Sequence, residues 1–334
     1  MYRAGVVGCR NIGVHHGLGF GGLDNTRLVA GCDLSEDRLS EFRDRCKEVS
    51  TDIACYTDHR ELLQQEQLDI LTVATSDHLH ADIVVNAAEA GVKGIFCEKP
   101  LATNLADADC MIAACEHNGT LLSVDHVRRF EPIWLHAKSL IDQGVIGPVQ
   151  YVIGTLSGER SMLFRNGPHT IDAMCWLAGA DPTFVVGDLE TGYEDYSQYR
   201  GDGGHVPASE PGAYGFMGFA NGVRGFYIGG SKTTPLPKQR LEVVGTTGRL
   251  VSGSDERITI LHGDEEEVIE MPLGEHSAIT RGVHELVNAL AAGEPSISPG
   301  RAGLTVVEGI IGILESQQRG HAPVPIPVPR GSGD

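Results

Sequence analysis

Arg3-Ala4-Gly5-Val6-Val7-Gly8-Cys9-Arg10-Asn11-Ile12-Gly13 is the stretch on which the fold turns. Its first half is a short apolar run and its second half a turn with glycine at both ends, the form of a strand feeding a helix beneath a phosphate. The usual dinucleotide fingerprint has a further glycine where Arg10 stands, so the motif is incomplete. A P-loop is excluded, because Val14 follows Gly13 where that loop requires lysine. Arg10 either contacts a phosphate or points to solvent. The next apolar run, Leu28-Val29-Ala30-Gly31-Cys32, ends in Asp33. A carboxylate there accepts the ribose hydroxyls of NAD and repels the extra phosphate of NADP, so NAD is the expected cofactor. The competing reading makes Asp33 or Ser35 the cap of the following helix.

Outward from this start the pattern alternates. Asp37 to Glu48 reads as a polar helix, Ile53 to Tyr56 as a strand, Asp58 to Gln65 as a helix, and Asp69 to Thr75 as an apolar strand. An alanine-rich helix from Ala81 to Ala90 is closed by Gly91. Gly94 to Glu98 is the next strand, then a helix capped by Asn104, then Thr120 to Val124. Strand-helix alternation at this spacing gives an α/β Rossmann domain, a doubly wound parallel sheet, over residues 1–124. Phe96-Cys97-Glu98-Lys99-Pro100 then places Glu98 and Lys99 at the carboxyl end of a strand, where open α/β sheets bind ligands. The alternative is an exposed turn lysine, since Pro100 holds Lys99 extended and ends the strand.

Past Val124 the pattern changes. Pro132 to Gln143 reads as a helix, Gln150 to Thr155 as a strand and His169 to Leu177 as a helix. Strands then follow one another at Phe184 to Leu189, Ala213 to Phe219, Val223 to Ile228, Leu241 to Val244, Ile258 to Leu261 and Val268 to Met271, with a hairpin signal at Asn221-Gly222. Two helices, about Ile279 to Ala292 and Ala302 to Arg319, precede a proline-rich tail read as an extended packing strand. Residues 125–334 are thus expected to form an α+β domain with a large, mostly antiparallel open sheet.

Composition narrows the partners. With 26 basic and 45 acidic residues the formal charge is −19, a field that repels nucleic acid and anionic membranes. No apolar run reaches the length of a membrane span and the start lacks a signal-peptide order, so a cytoplasmic protein is expected. Eight cysteines without a Cys-x-x-Cys pair read as reduced, buried thiols.

Ala74-Thr75-Ser76-Asp77-His78-Leu79-His80, Cys97-Glu98-Lys99-Pro100-Leu101-Ala102, Arg128-Arg129-Phe130-Glu131-Pro132, Gly167-Pro168-His169-Thr170-Ile171-Asp172 and Glu242-Val243-Val244-Gly245-Thr246-Thr247-Gly248 together resemble the Gfo/Idh/MocA oxidoreductases, over nearly the whole chain. The resemblance implies an NAD(P)-dependent dehydrogenase or reductase acting on a secondary alcohol or ketone of a sugar, a sugar derivative or an inositol-like polyol. By position, Lys99 binds the reacting oxygen, His169 is the general acid/base and Asp172 a neighbouring catalytic contact. Cofactor contacts are implied for Gly8, Arg10, Asn11, Ile12, Gly13 and Asp33 in the first half of the nucleotide domain, and for Thr75, Ser76, His78, Glu98 and Lys99 in the second. Substrate contacts are implied for Arg165, Asn166, Arg128 and His126. A homo-oligomer, dimer or tetramer, built on the open sheet face is also implied. Histidine suits the proton transfer because it titrates near neutrality, and a lysine ammonium stabilises developing alkoxide charge.

One position departs from the family pattern. Arg165 stands four residues before His169, where relatives commonly carry aspartate. It either forks onto an acidic group of the substrate or pairs with Glu159 or Asp172. Two other enzyme or protein classes stay open: an enzyme that retains NAD and oxidises a sugar transiently to cleave a glycoside, and a non-catalytic dinucleotide or sugar sensor. His78 and His80 read as pocket lining or as caps of the next helix, with no third ligand at a metal-like spacing, so no metal site is expected. His15 and His16 read as surface residues of the first helix, and Trp134 and Trp176 as core.

Overall fold

A computed structural model describes residues 1–232, 238–253, 257–272 and 274–330. The chain falls into two compact units, Met1–Phe130 with Glu275–Leu304, and Glu131–Gly274 with Thr305–Asp334. The expected boundary at 124/125 lies six residues before the first crossing, and the return of Glu275–Leu304 to the first unit has no counterpart in the sequence reading.

The first unit runs β1 (Tyr2–Val7), α1 (Asn11–Leu18), β2 (Thr26–Cys32), α2 (Glu36–Arg45), β3 (Ala54–Tyr56), α3 (His59–Glu66), β4 (Ile70–Val73), α4 (His80–Glu89), β5 (Gly94–Cys97), α5 (Leu105–Asn118) and β6 (Leu121–Val124). Its sheet has the order β3-β2-β1-β4-β5-β6, all parallel. Strands such as Ile70-Leu71-Thr72-Val73 are buried at every position, because helices cover both faces. Side-chain caps start three of these helices: Ser35 accepts from Arg38 N–H, Asp58 from Arg60 N–H and Asn104 from Asp107 N–H.

The second unit contains α6 (Pro132–Asp142), β7 (Val149–Ser157), α7 (Gly167–Ala178), β8 (Pro182–Leu189), β9 (Ala213–Phe219), β10 (Arg224–Ser231), β11 (Gln239–Gly245), β12 (Arg249–Gly253), β13 (Arg257–His262) and β14 (Glu265–Glu270). Then come α8 (Ala278–Ala292), which packs into the first unit, α9 (Gly300–Gln318) and the short β15 (Val324–Pro325). The nine strands are ordered β14-β13-β12-β11-β7-β10-β9-β8-β15. All neighbours run antiparallel except β7 and β10, which are parallel. The sequence reading did not separate β12. The proline-rich tail does pack as an extended segment: Val324, Ile326 and Val328 alternate inward.

One face of this sheet is covered by helices, α7 over β7, β10 and β11, and α6 over β12 and β13. The opposite face carries Tyr151, Tyr214, Phe226 and Ile228, each 36–40 % exposed. Phe226 stands opposite Phe216 on β9 and beside Ile153 on β7, and the rings of Phe184, Phe216, Phe226 and Tyr151 form a chain with centroids 5.4–6.2 Å apart. Among the described residues no helix is long and apolar enough to cross a membrane. All eight cysteines are free thiols, seven of them in the first unit; Cys110 is exposed, and Cys55 and Cys175 are half-buried, so burial holds for five of the eight.

Candidate active site

The glycine turn is closed by backbone contact. Gly8 has φ +91°, and a Cβ there would lie 2.5 Å from the Ala74 carbonyl oxygen; one on Gly13 would lie 1.7 Å from the Gly8 carbonyl oxygen. Both positions therefore require glycine. Arg10 does not: its φ of −74° suits any L-residue, and its side chain is exposed at the start of α1. The backbone of the turn therefore forms without its middle glycine. Asn11 is exposed and Ile12 half-buried at the same helix start, and no acid occupies the first turn. The free N–H groups and the helix dipole there suit a pyrophosphate.

Asp33 follows β2 and is 8 % exposed. Its Oδ2 accepts the Cys9 N–H at 2.9 Å and its Oδ1 the Ser35 N–H at 3.0 Å, which ties the carboxylate to the turn. Arg38 Nη1 approaches Oδ1 at 3.6 Å from a largely exposed side chain. Turn, helix start and carboxylate fit a dinucleotide, and with Asp33 foremost they fit NAD.

At the carboxyl end of β5, Lys99 is 7 % exposed and donates its backbone N–H to Glu98 Oε2 at 3.2 Å. Behind Glu98 stands His16. It is fully buried, not on the surface, with Nε2 3.4 Å from Glu98 Oε1 and 3.9 Å from Asp125 Oδ2. Phe96 packs on its ring at 5.3 Å between centroids, and Phe96 in turn meets Phe130. His16, Glu98 and Asp125 bring three polar atoms within 4.8 Å of one another, the one such histidine–carboxylate group among the described residues. Burial alone would raise the Glu98 carboxyl. The hydrogen bond and charge of His16, the Lys99 ammonium and a hydrogen bond from Asp125 outweigh it and bring the carboxyl down to about 2.

His80 begins α4 but caps nothing. It is buried, with Nδ1 3.0 Å from the Pro100 carbonyl oxygen and Nε2 3.4 Å from that of Thr75. Thr75 is half-buried while Ser76 and His78 are exposed, all three on the segment after β4. Asp125 and His126, each 1 % exposed, follow β6, and Arg128 is half-buried beyond them.

In the second unit, α7 starts at Gly167, after Asn166, so His169 and Asp172 fall one turn apart on one face. His169 is half-buried with Nδ1 enclosed, and Asp172, whose place on the helix the sequence left open, is 1 % exposed. The preceding loop is pinned by Glu210, buried and accepting the Phe164 N–H at 3.0 Å. Arg165 is half-buried, its stem lying where Gly204 leaves room: a Cβ there would be 2.5 Å from Arg165 Cδ. Burial and the neighbouring Arg165 charge both lower the Arg160 guanidinium. Trp134 is core, but Trp176 is only half-buried.

His16 and Glu210 escaped the sequence reading. Gly13, His16 and Gly17 share one buried face of α1 at i, i+3 and i+4, but with glycine at two of the three positions the face carries no apolar stripe that would signal it in the sequence.

A parallel sheet with a glycine turn after its first strand and a carboxylate after its second defines the class of dinucleotide-binding oxidoreductases. The chain belongs to the Gfo/Idh/MocA oxidoreductase family: residues 2–126 match its NAD-binding Rossmann fold and residues 138–326 its C-terminal alpha/beta domain. A myo-inositol 2-dehydrogenase from Thermotoga maritima is 27 % identical over 275 residues, 79 % of each chain. An inositol 2-dehydrogenase from Salmonella typhimurium is 30 % identical over 192 residues, 54 % of this chain and 55 % of that one. In fold, an oxidoreductase from Agrobacterium radiobacter, solved with NAD+, L-tartaric acid and magnesium, superposes with a TM-score of 0.82 at 19 % identity, covering 98 % of both chains.

Proposed function

We propose that the protein interconverts a secondary alcohol and a ketone on a sugar, sugar derivative or inositol-like polyol, with NAD(H) as the redox partner. The observation that carries this reading is Lys99: a nearly buried lysine at the carboxyl end of β5, beside an ionised Glu98, in an NAD-binding domain. The inositol dehydrogenases among the relatives support the substrate class.

When bound, NAD+ supplies the hydride acceptor at the alcohol carbon. The chain's part is proton and charge management. His169 takes the hydroxyl proton as general base, Asp172 orients it, and the Lys99 ammonium binds the oxygen while negative charge builds there. Ketone reduction runs the same residues in reverse. Arg165, with Arg160 beside it, meets an acidic substituent of the substrate; Asn166, Arg128 and His126 complete the polar contacts. Free thiols throughout support a reducing, cytoplasmic setting.

The aromatic face of the nine-stranded sheet is covered by a second copy of the chain in this reading. A contiguous patch of that kind marks an interaction surface, and its rings sit on a rigid antiparallel scaffold.

Absorbance at 340 nm with NAD and a panel of inositols, aldoses, uronic acids and sugar phosphates tests the activity. Lys99→Ala and His169→Ala should each bind NAD and lose at least about a hundredfold in turnover. Full turnover in both variants would remove the assignment, and NAD binding without turnover on any substrate would favour a retained-cofactor enzyme or a sensor.

A further inference from the structure

His16 and Asp125, the buried partners of Glu98, have no part in the reaction described above, yet they lie at the end of the sheet where the cofactor binds. With Asp33 after β2 taking the adenosine ribose and the Gly8–Gly13 turn the pyrophosphate, the other half of the dinucleotide extends over the β4, β5 and β6 side of the sheet. Glu98 follows β5 and Asp125 follows β6 on that side, and His16 reaches them from α1. The side chain of Glu98 is 14 % exposed, whereas His16 is fully and Asp125 almost fully enclosed, so Glu98 is the member that meets the crevice.

We propose that His16 is a positioning residue that holds Glu98 as an oriented, ionised carboxylate, and that this carboxylate makes the site favour the oxidised, cationic nicotinamide over the neutral, reduced one. Oxidised and reduced cofactors differ only in the nicotinamide ring, which on reduction gains a hydride at C4 and loses its positive charge, so a fixed charge near the ring separates them while contacts to ribose and phosphate do not. His16 donates from Nε2 to one carboxylate oxygen, the Lys99 backbone N–H holds the other, and Asp125 adds a hydrogen bond. Lys99 supplies the opposite charge next door and works against the carboxylate. The balance between them sets how readily NADH leaves after alcohol oxidation, or how firmly it is held for reduction.

This inference rests on NAD binding by the first unit and not on the substrate, so binding alone tests it. Dissociation constants for NAD+ and NADH are measured by calorimetry on the full chain, with thermal melts confirming that each variant is folded. Glu98→Gln keeps shape and removes charge; the ratio of the NADH constant to the NAD+ constant should fall roughly tenfold. Lys99→Met should move the ratio the other way. His16→Gln, which keeps a donor, should leave the ratio near wild type, and His16→Leu should follow Glu98→Gln. If Glu98→Gln weakens both nucleotides equally, the carboxylate is a ribose contact only and the proposal fails, whatever the enzyme oxidises. Failure of the wild type to bind either nucleotide would remove both this inference and the NAD reading.

Discussion

His80 Nδ1 lies 3.0 Å from the carbonyl oxygen of Pro100, which ties the start of α4 to the turn that carries Lys99. The other ring nitrogen faces the Thr75 carbonyl, so one buried imidazole spans the two segments that follow β4 and β5. A neutral ring donates to one of these oxygens at a time. His80→Leu leaves both carbonyls without that donor in an enclosed site and should cost about 1–3 kcal/mol of stability. Urea unfolding of the two proteins would show this as a lower midpoint at unchanged slope; an equal midpoint would mean that the ring only fills space.

Cofactor choice turns on Asp33 and its neighbour. The carboxylate repels a ribose 2′-phosphate, but Arg38 stands 3.6 Å away with its side chain largely in solvent. Asp33→Ala removes the repulsion and leaves the guanidinium. The ratio of NADP to NAD affinity should rise at least about tenfold, since charge-assisted contacts of this kind are worth about 1.5–3 kcal/mol. Fluorescence titration with both nucleotides reads it directly, and an unchanged ratio would show that Asp33 serves the turn and not the ribose.

Glu98 also leaves a mark on acid stability. Its carboxyl sits at about 2 in the folded chain against an ordinary value of 4.5, so the folded state binds this proton less tightly than the unfolded one. The resulting stabilisation is fully present above the ordinary value and is lost as pH falls from there toward about 2. Melting temperature should therefore drop more steeply across that window in wild type than in Glu98→Gln. Parallel curves would indicate that the carboxyl titrates normally.

Phe226 sits at the centre of the aromatic chain on the open sheet face, 39 % exposed. Phe226→Asp should leave the fold intact, because the side chain points away from the helices, while placing a charge in the proposed interface. Light scattering coupled to size exclusion should find wild type as an oligomer and the variant shifted toward monomer. A monomeric wild type would end the interface reading.

The Rossmann sheet was legible because its signals are local: apolar runs of four or five residues, capped helices and a glycine turn. The glycines at 8 and 13 could be placed because backbone sterics leave no substitute there, and Asp33 because it closes the second apolar run. Arg10 interrupts the fingerprint without disturbing the turn, since its φ of −74° suits any L-residue. His16 was hidden because two glycines flank it on the buried face, so no apolar stripe announced that face. β12 was missed for a similar reason: Arg249-Leu250-Val251-Ser252-Gly253 has two aliphatic residues and a buried serine. Parallel pairing of β7 with β10 depends on strand order, which no short pattern encodes.

The placement of α8 has a consequence for how the protein is made. Val283, Leu286 and Val287 belong to the same hydrophobic cluster as Ala4, Val6, Leu28 and Phe96. On the ribosome, the nucleotide-binding sheet is translated long before these side chains exist, and the whole of Glu131–Gly274 must emerge in between. A fragment ending at Phe130 holds every strand of that sheet yet leaves one flank of its core facing water. The first unit thus reaches its final packing only late in synthesis, after most of the second has left the exit tunnel.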